Sequence, residues 1–392
     1  MKEIQEILRE LGCKDHARKH LALATLVKVE GSAYRRPGAR MLILPDGRRI
    51  GALSGGCLEA DVVERARQVL ETGESSLICY DASNNFDLVQ EMGCQGAVGI
   101  LIEAISPSEP YLQFMAESIR LRRWSVLATV IHVTGRGNVR VGEHLGYAQD
   151  AMFTDLEDAK LKVAIVRDAV RVLRTSKAEV RTYRYEEGSA QVLLEPLMPP
   201  LNLLICGAGE DSIPLAQLAA QLGWQVTVTD PRPSLLAADR FPSNVRCLAM
   251  RPERLGEPIR PDACTVAVVM THNYAFDLAL LRLLFKSPAR YIGLLGPARR
   301  TERLLSELRS EGMPLTASDK ERLYSPAGLD IGAETAEEIA LSIVGEIQAV
   351  INNRGGGSLR QRRAPIHEAQ SGNAKQEAPL VLFGAPLAGA PL

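Results

Sequence analysis

Residues 31–63 read GSAYRRPGARMLILPDGRRIGALSGGCLEADVV and contain two glycine-rich loops, a hairpin and the start of a helix. Residues 41–44 and 49–53 have the apolar character of two short strands. The Pro-Asp-Gly sequence at 45–47 supplies the turn between them, because glycine readily takes a positive φ. From Leu58 onward the apolar residues recur at helical spacing. The stretch therefore predicts a β-hairpin followed by a helix that begins at a glycine-rich loop.

The glycine-rich loop before that helix is a candidate anion site. The backbone N–H groups of Gly55 and Gly56, with the positive end of the helix dipole, favour a bound phosphate or carboxylate. Arg35 and Arg36 lie upstream and carry guanidinium groups that bind the same anions. Cys57 falls at the helix start, where the dipole favours the reactive thiolate. The alternative is a tight hairpin against a helix, with Cys57 as a small buried hydrophobe.

A second loop with glycine and cysteine precedes an apolar strand predicted at residues 97–105. It reads Glu-Met-Gly-Cys-Gln-Gly over residues 91–96 and contains Cys94. We expect Cys57 and Cys94 to share a pocket if their loops converge.

Length and composition limit the class of protein. The 392 residues suffice for two or three domains, and 46% hydrophobic with 24% charged residues is ordinary for a globular chain. A formal net charge of −1 gives no electrostatic reason to expect nucleic acid or a membrane as a partner. The acidic, amphipathic start lacks the apolar core of a signal peptide. With seven scattered cysteines, these features predict a cytoplasmic protein with reduced thiols.

A dinucleotide-binding pattern begins near the middle of the chain. Residues 203–206 form an apolar strand, followed by Gly207, Ala208 and Gly209 and then a predicted helix. The next strand ends in Asp230, about 20 residues beyond the glycines. In such sites the first glycine makes a tight turn, the second admits a pyrophosphate, and the acid holds a ribose. The pattern predicts a Rossmann-like, doubly wound parallel sheet with Gly207, Gly209 and Asp230 at its ligand site.

His272 follows another predicted strand of the same sheet, at residues 264–270. Ligands of open α/β sheets bind outside the carboxyl ends of the strands, so His272 is a candidate acid or base, with Asp277 to orient it. The alternative is a loop histidine that caps the helix predicted from Tyr274.

Gly293 and Gly296 are candidate ligand contacts for the same reason, because they lie at the carboxyl end of a strand predicted at residues 290–294. The helix that comes next begins with a run of arginines, namely Arg299, Arg300 and Arg303. A glycine-rich turn with cations at a helix start predicts a phosphate contact.

Three regions are expected. Residues 1–198 form an N-terminal α/β domain, and the Pro-Leu-Met-Pro-Pro sequence at 196–200 marks its boundary. Residues 199–353 form the Rossmann-like domain. Residues 354–392 lack apolar periodicity and are expected to be a disordered tail.

Several motifs taken together resemble the XdhC/CoxI family, the accessory factors of molybdenum hydroxylases. The resemblance rests on GSAYRRPGARMLILPDG and GALSGGCLEADVV in the first region, and on CGAGEDSIPL, VTDPRP, MTHNYAFDLALL, YIGLLGPARRTERL and SPAGLDIGAETAEEIALSI in the second. It implies an N-terminal XdhC/CoxI-type domain followed by the Rossmann-like domain.

The resemblance also implies a function. Family members are understood to bind molybdenum cofactor, as molybdopterin or its dinucleotide form, and to assist its sulfuration with a cysteine desulfurase. They then pass the cofactor to an apo molybdenum hydroxylase such as xanthine dehydrogenase, and a homodimer is expected. In this chain Arg35 and Arg36 would bind phosphates, while Cys57 and Cys94 would contact the metal or handle sulfur.

Two other functions fit the Rossmann pattern. An NAD(P)-dependent oxidoreductase would bind its cofactor at Gly207, Gly209 and Asp230 and use His272 for proton transfer. No Tyr-x-x-x-Lys hydride-transfer motif accompanies the fold, so a non-catalytic cofactor chaperone is favoured. A regulatory protein that senses a nucleotide is the remaining alternative.

Overall fold

The computed structural model describes residues 1–13, 20–31, 34–56, 58–81, 97–186, 188–256 and 258–363. The helices are α1 (Lys2–Leu11), α2 (Glu59–Thr72), α3 (Pro110–Arg120), α4 (Ala159–Thr175), α5 (Ser212–Gln221), α6 (Tyr274–Phe285), α7 (Ala298–Ser310), α8 (Ala317–Glu321) and α9 (Ala336–Ile351).

The strands form three sheets. Those of the first and second sheets are β1 (Leu21–Glu30), β2 (Arg40–Ile43), β3 (Arg49–Gly51), β4 (Ser76–Tyr80), β5 (Ala97–Ile105), β6 (Ser125–Gly135), β7 (His144–Ala148), β8 (Ala151–Thr154), β9 (Glu179–Tyr185) and β10 (Gly188–Leu197). Those of the parallel sheet are β11 (Asn202–Cys206), β12 (Gln225–Asp230), β13 (Arg246–Ala249), β14 (Thr265–Val269), β15 (Tyr291–Leu294) and β16 (Leu323–Tyr324).

The first sheet contains the hairpin and helix that the sequence predicts. Strands β2 and β3 pair antiparallel, and Gly47 takes a φ of 83° in the turn between them. Helix α2 buries Val62, Ala66 and Val69 against this sheet, in the same hydrophobic cluster as alternate residues of β1. The intervening residues of β1 face the second sheet and the helices α1 and α3. Both faces of β1 are therefore covered, which explains its continuous run of buried residues from Leu21 to Val27.

The N-terminal domain consists of two halves with the same topology. The first sheet has the strand order β3-β2-β1-β5-β4, and the second sheet has the order β8-β7-β6-β10-β9. Every adjacent pair in both sheets is antiparallel. A helix precedes each set of strands, and another lies between the third and fourth strand of each set. The domain is thus an internal structural duplication.

The two halves share sequence in the first strand of each, where Leu-Ala-Thr occurs at residues 23–25 and 127–129, and in the loop that follows. The same residue types recur there at the same spacing: Gly31, Arg36 and Gly38 in the first half, and Gly135, Arg140 and Gly142 in the second. The amides of Gly38 and Gly142 donate equivalent hydrogen bonds, to Leu26 and Val130, each of 2.8 Å. Both glycines have positive φ values. The described ends of the two loops therefore share the same glycine conformation and hydrogen bond.

The second domain is the predicted doubly wound sheet. Its strand order, β13-β12-β11-β14-β15-β16, is that of the Rossmann fold, and all of its strand pairs are parallel. Helices α5 and α9 pack on one face and α6 and α7 on the other. Alternate residues of β11 enter the two hydrophobic clusters, so this central strand is buried on both sides. The strand order reverses between β11 and β14, and the crevice at their carboxyl ends is the expected ligand position.

The N-terminal domain contacts the opposite edge of the parallel sheet. The Arg122 guanidinium donates to Asp262, at 2.6 and 3.1 Å, and to the Gln225 side chain at 2.5 Å. The Gln5 amide of α1 donates to the carbonyl oxygen of Gly223 at 3.0 Å. These partners lie at or just before the amino ends of β12 and β14. The carboxyl-edge crevice is therefore separated from these contacts by the length of a strand, about 17 Å for five residues.

No helix of the described part of the chain is long and apolar enough to cross a membrane. Leu359–Gln361 forms a 3-10 turn, and Gly356 packs against Leu329 with a φ of 72°. The expected tail from residue 364 onward lies outside the described residues, and the domain boundaries stay predictions.

Candidate functional site

The glycine-rich loop before α2 holds a carboxylate of the chain itself. The amides of Leu53 and Ser54 donate to Glu59 Oε1, at 3.2 and 2.8 Å, and the Ser54 hydroxyl donates to Oε2 at 2.6 Å. Ser54 Oγ in turn accepts from the amides of Gly56, at 3.1 Å, and Leu58, at 3.4 Å. Four backbone amides of the loop, including that of Gly56 from the predicted anion cradle, and the Ser54 hydroxyl thus have partners within the chain.

Glu59 is 6% exposed, and its carboxylate is well stabilised. Burial opposes its ionisation, but the hydrogen bonds from Ser54 and Leu53 outweigh burial and lower the pKa below the ordinary value for glutamate. Glu59 therefore binds the side of the loop formed by Leu53 and Ser54, and no hydrogen bond joins it to the Gly55 or Gly56 amide predicted to bind a phosphate.

Gly55 and Gly56 leave an open surface on this loop. Among the described residues, none lies within 4 Å of a side chain added at either position. Gly56 has a φ of 121°, which favours glycine, whereas Gly55 lacks a positive φ. Neither the described neighbours nor the backbone conformation requires a glycine at position 55. The backbone there is open to another molecule on the side that the described residues leave uncovered.

The predicted site loops gather at one end of the first sheet, called here the site end. Met41 pairs with Gly51 and Glu30 pairs with Ala97, so the loops that follow β1 and β3 lie at the end where β5 begins. Tyr80, the last residue of β4, also lies there. The chain thus leaves and re-enters this end on either side of the segment that contains Cys94. Cys57 and Cys94 themselves lie outside the described residues, so their metal or sulfur roles stay predictions.

The predicted arginines have different surroundings. Arg35 forms an ion pair with Glu3 of α1, and its side chain is 31% exposed. Arg36 is exposed and also has a partner. Both arginines lie between β1 and β2 at the site end, as their predicted role requires. Phosphate binding by either residue stays a prediction.

Gly207 and Gly209 occupy the turn after β11 as predicted, for two different reasons. Gly207 has a φ of 117°, and a side chain there would collide with the carbonyl oxygen of Met270. Gly207 therefore permits the tight approach of β11 to β14. Gly209 has no positive φ, and a Cβ would meet only the flexible Asp211 carboxylate, at 2.7 Å. Glycine at 209 keeps the backbone accessible.

Asp230 lies at the end of β12 and is fully engaged within the chain. Its Oδ2 accepts from the Ala208 amide at 3.1 Å and from Arg232 Nη2 at 2.9 Å. Its Oδ1 accepts from the backbone amide and from Nε of Arg232, both at 2.9 Å. Burial opposes ionisation, but these bonds from Arg232 and Ala208 keep the pKa below the ordinary value. A ribose contact by Asp230 stays a prediction, and it would have to compete with Arg232.

His272 lies in the crevice with a different partner from the one predicted. Its Nε2 lies 2.9 Å from Asp211 Oδ2, so the pair joins the loops that follow β14 and β11. His272 also has a φ of 55°, a conformation that is uncommon for residues other than glycine. The prediction that Asp277 orients it is wrong, because the buried Asp277 accepts from Thr271 at 2.5 Å and from Arg300 at 2.6 Å. Asp277 instead anchors the loop next to the histidine.

A residue of this loop caps the helix that begins at Tyr274, as the alternative interpretation expected, but that residue is not His272. The Asn273 side chain, and not His272, accepts from the Phe276 amide at the start of α6.

Gly293 and Gly296 also differ in role. A side chain at Gly293 would meet the ring of Tyr291, at 2.7 Å, so this glycine makes room for packing inside the sheet. Gly296 has a φ of 132° in the loop before α7, where a Cβ would meet Arg300 at 3.2 Å. Gly296 therefore supplies the positive φ of this loop, and Gly293 serves the packing of the sheet. A cofactor contact by either glycine stays a prediction.

Sequence reasoning missed Glu59, Asp211 and Arg232. Glu59 carries a local signal, since a serine five residues before a glutamate at a helix start permits the bond between their side chains. Arg232 lies two residues after Asp230, so their contact could also have been predicted from the local sequence. Asp211 lies far from His272 in the sequence, so their contact requires the fold. Among the described residues, no group of three or more His, Cys, Asp or Glu side chains is placed to hold a metal ion.

Comparisons with known proteins agree with this arrangement. The XdhC and CoxI family matches residues 15–81, and the XdhC Rossmann domain matches residues 203–347. A probable xanthine dehydrogenase subunit from Bacillus subtilis is 35% identical over 331 residues, which cover 83% of this chain and 91% of that protein. The molybdenum cofactor insertion chaperone PaoD of Escherichia coli is 23% identical over 333 residues, covering 85% and 84% of the two chains.

A solved structure shares the fold over nearly the whole chain. The crystal structure of a xanthine dehydrogenase from Bacillus halodurans superposes with a TM-score of 0.72 at 29% identity, and it covers 92% of this chain and 98% of that chain. The chain belongs to the XdhC/CoxI family.

Proposed function

We propose that the protein is an accessory factor that binds molybdenum cofactor, supports its sulfuration, and delivers it to an apo molybdenum hydroxylase in the cytoplasm. The observation that carries this proposal is the open backbone at Gly55, adjacent in the chain to Gly56 and Cys57. Family membership and the similarity to the insertion chaperone PaoD support the same conclusion.

The chemistry of the site end suits such a cargo. The cofactor offers phosphate, a polar pterin and a thiophilic metal. Arg36 would bind the phosphate by a charge-assisted hydrogen bond. Cys57 would contact the metal or carry sulfur during exchange with a cysteine desulfurase. The backbone at Gly55 would support the cofactor by contact.

The parallel sheet would hold a nucleotide independently of the site end. Gly209 exposes the backbone at the crevice, which is where nucleotides bind in this fold. Its distance from the interdomain contacts favours two separate ligand positions within one chain. A homodimer, as expected from the family, would allow the two positions to meet between copies.

Reconstitution of an apo-hydroxylase tests the proposal. Protein loaded with molybdenum cofactor should restore more hydroxylase activity than the same amount of free cofactor. Cys57→Ala should lose most cofactor retention, measured as bound molybdenum, whereas Cys13→Ala, at an exposed cysteine, should retain it. Arg36→Ala should weaken transfer, and Arg140→Ala at the equivalent position of the other half should not.

The other outcomes distinguish the alternatives. Equal reconstitution with and without the protein contradicts the chaperone function. Turnover of alcohols, aldehydes or hydroxy acids with NAD(P) would identify an oxidoreductase that uses the crevice.

A further inference from the structure

We propose that the crevice of the parallel sheet selects a nucleotide that carries a phosphate on its ribose, and that Arg232 determines this specificity. The inference rests on the nucleotide-binding part of the proposed function. It starts from the contacts of Asp230, the acid that the Rossmann pattern assigns to the ribose.

The Asp230 carboxylate has no free acceptor position for a ribose diol. Each oxygen accepts two hydrogen bonds, and three of the four come from Arg232. A carboxylate oxygen offers about two acceptor positions, so the four bonds saturate the group. The Asp230 side chain is also only 1% exposed. An unphosphorylated ribose would have to displace the guanidinium before it could bind.

Arg232 places an exposed cation at this position. Its side chain is 60% exposed, and Nη1 takes no part in the contacts with Asp230. The guanidinium is held in a fixed plane by Nε and Nη2, which reduces the entropy lost when it binds another anion. In Rossmann folds an arginine near the ribose acid accommodates a 2′-phosphate. The crevice therefore presents a fixed donor to a phosphorylated ribose.

The acidic residues of the neighbouring turn do not oppose this assignment. Glu210 forms an ion pair with Arg240 at 2.5 Å, and Asp211 lies against His272. Asp277 is likewise paired with Arg300. Each of these carboxylates has a partner within the chain, so none leaves an unpaired negative charge beside Arg232.

Calorimetric titration with NADPH and NADH tests the specificity. We expect the full chain to bind NADPH at least tenfold more tightly than NADH. Arg232→Ala should reduce NADPH affinity at least tenfold without reducing NADH affinity, because the Asp230 carboxylate becomes available to the ribose. Arg232→Lys should recover part of the preference. Arg246→Ala, which removes an exposed arginine at the amino start of β13, should leave both affinities unchanged.

The possible failures are distinguishable. Equal binding of the two nucleotides, or tighter binding of NADH, overturns the role of Arg232 and leaves nucleotide binding intact. If neither nucleotide binds, both this inference and the nucleotide-binding part of the proposed function are wrong. Delivery of molybdenum cofactor would still be judged separately by the reconstitution assay. Melting temperatures of the variants verify that a loss of affinity does not reflect unfolding.

Discussion

Arg40 and His144 occupy equivalent positions in the two halves of the N-terminal domain, and each faces a glutamate from the opposite sheet. Arg40 pairs with Thr25 across β1 and β2, and His144 pairs with Thr129 across β6 and β7. Arg40 donates to Glu195 of β10, at 2.6 and 2.8 Å, whereas His144 Nε2 lies 3.4 Å from Glu103 of β5. The duplication thus places two cross-sheet pairs in the centre of the domain, one charged and one with a histidine.

The first prediction concerns the charged pair. Arg40→Met leaves the Glu195 carboxylate buried without its counter-ion, and it should cost about 3–5 kcal/mol of unfolding free energy. The double variant Arg40→Met/Glu195→Leu should recover most of that loss, because no charge then remains in the interior. Unfolding in urea, followed by Trp124 fluorescence in a Trp224→Phe background, reports on this domain. A double variant as unstable as the single one would contradict the explanation.

The second prediction concerns the pH dependence of stability. Burial raises the pKa of Glu103 to about 8, against the opposing effect of Arg40, and Asp155 and Glu109 raise it further. The folded state therefore keeps a proton that the unfolded state releases near its ordinary pKa of 4.5. This stabilisation is complete below that value and is lost as the pH rises through 8. We expect a loss of about 2 kcal/mol between pH 6.5 and 8.

His144 has the opposite effect at lower pH. Burial, followed by the charge of Arg40, lowers its pKa to about 3, so stability falls as the pH decreases from 6.5. Between about pH 4.5 and 6.5, Glu103 and His144 change the free energy of unfolding with opposite pH slopes, which cancel. Above pH 6.5 the loss of stability comes from Glu103, because His144 is then neutral in both the folded and the unfolded state. Glu103→Gln should abolish the decline between pH 6.5 and 8 in urea titrations. An unchanged pH profile would show that Glu103 is ionised in the folded protein.

The sequence predicts those features that are encoded over short distances. The hairpin around Gly47, the helix bearing Val62 and Ala66, and the β-strand with its glycine turn at Gly207 all depend on neighbouring residues. Even the Rossmann order follows from an alternation of strands and helices with a fixed handedness. The parallel domain was therefore largely predictable.

Side-chain partners were less predictable, because distant segments supply them. Arg40 and Glu195 are brought together by the packing of two sheets, and nothing near either residue indicates the other. His272 illustrates the same limit, because its partner Asp211 belongs to another loop of the crevice. The duplication was also missed, although a pattern that runs from the first strand to Gly38 and to Gly142 recurs in the two halves.

The third prediction separates the two glycines of the Rossmann turn. Gly207→Ala forces a side chain into a positive φ and against the Met270 carbonyl, so we expect a loss of about 2 kcal/mol or more. Gly209→Ala should fold normally, because only the tip of Asp211 must move. It should nevertheless reduce affinity for NADPH, since the added methyl group blocks the backbone. Thermal unfolding and calorimetry distinguish these effects. Equal stability of the two variants would contradict the assigned roles.

The fourth prediction tests the open backbone of the loop before α2. Gly55→Ala and Gly55→Leu should leave the melting temperature unchanged, because Gly55 has no positive φ and none of the described residues lies within 4 Å of its Cβ direction. The leucine variant should reduce affinity for molybdenum cofactor at least tenfold, or about 1.4 kcal/mol, if the cofactor lies against this backbone. Alanine should have a smaller effect, because its side chain occupies less of the space. Bound molybdenum per chain, measured over a range of cofactor concentrations, gives the affinities.

Gly357→Leu is the matched control for this experiment. Gly357 also lacks a positive φ and close neighbours, but it lies beyond α9 in the other domain, so its leucine variant should bind the cofactor like the wild type. A graded loss at Gly55 with none at Gly357 would locate the ligand at the site end, because a general effect of an exposed leucine would appear in both. Wild-type affinity in Gly55→Leu would place the cofactor elsewhere. The glycine would then reflect a requirement of partner binding or folding, and Cys57 would lose its strongest structural support as a cofactor ligand.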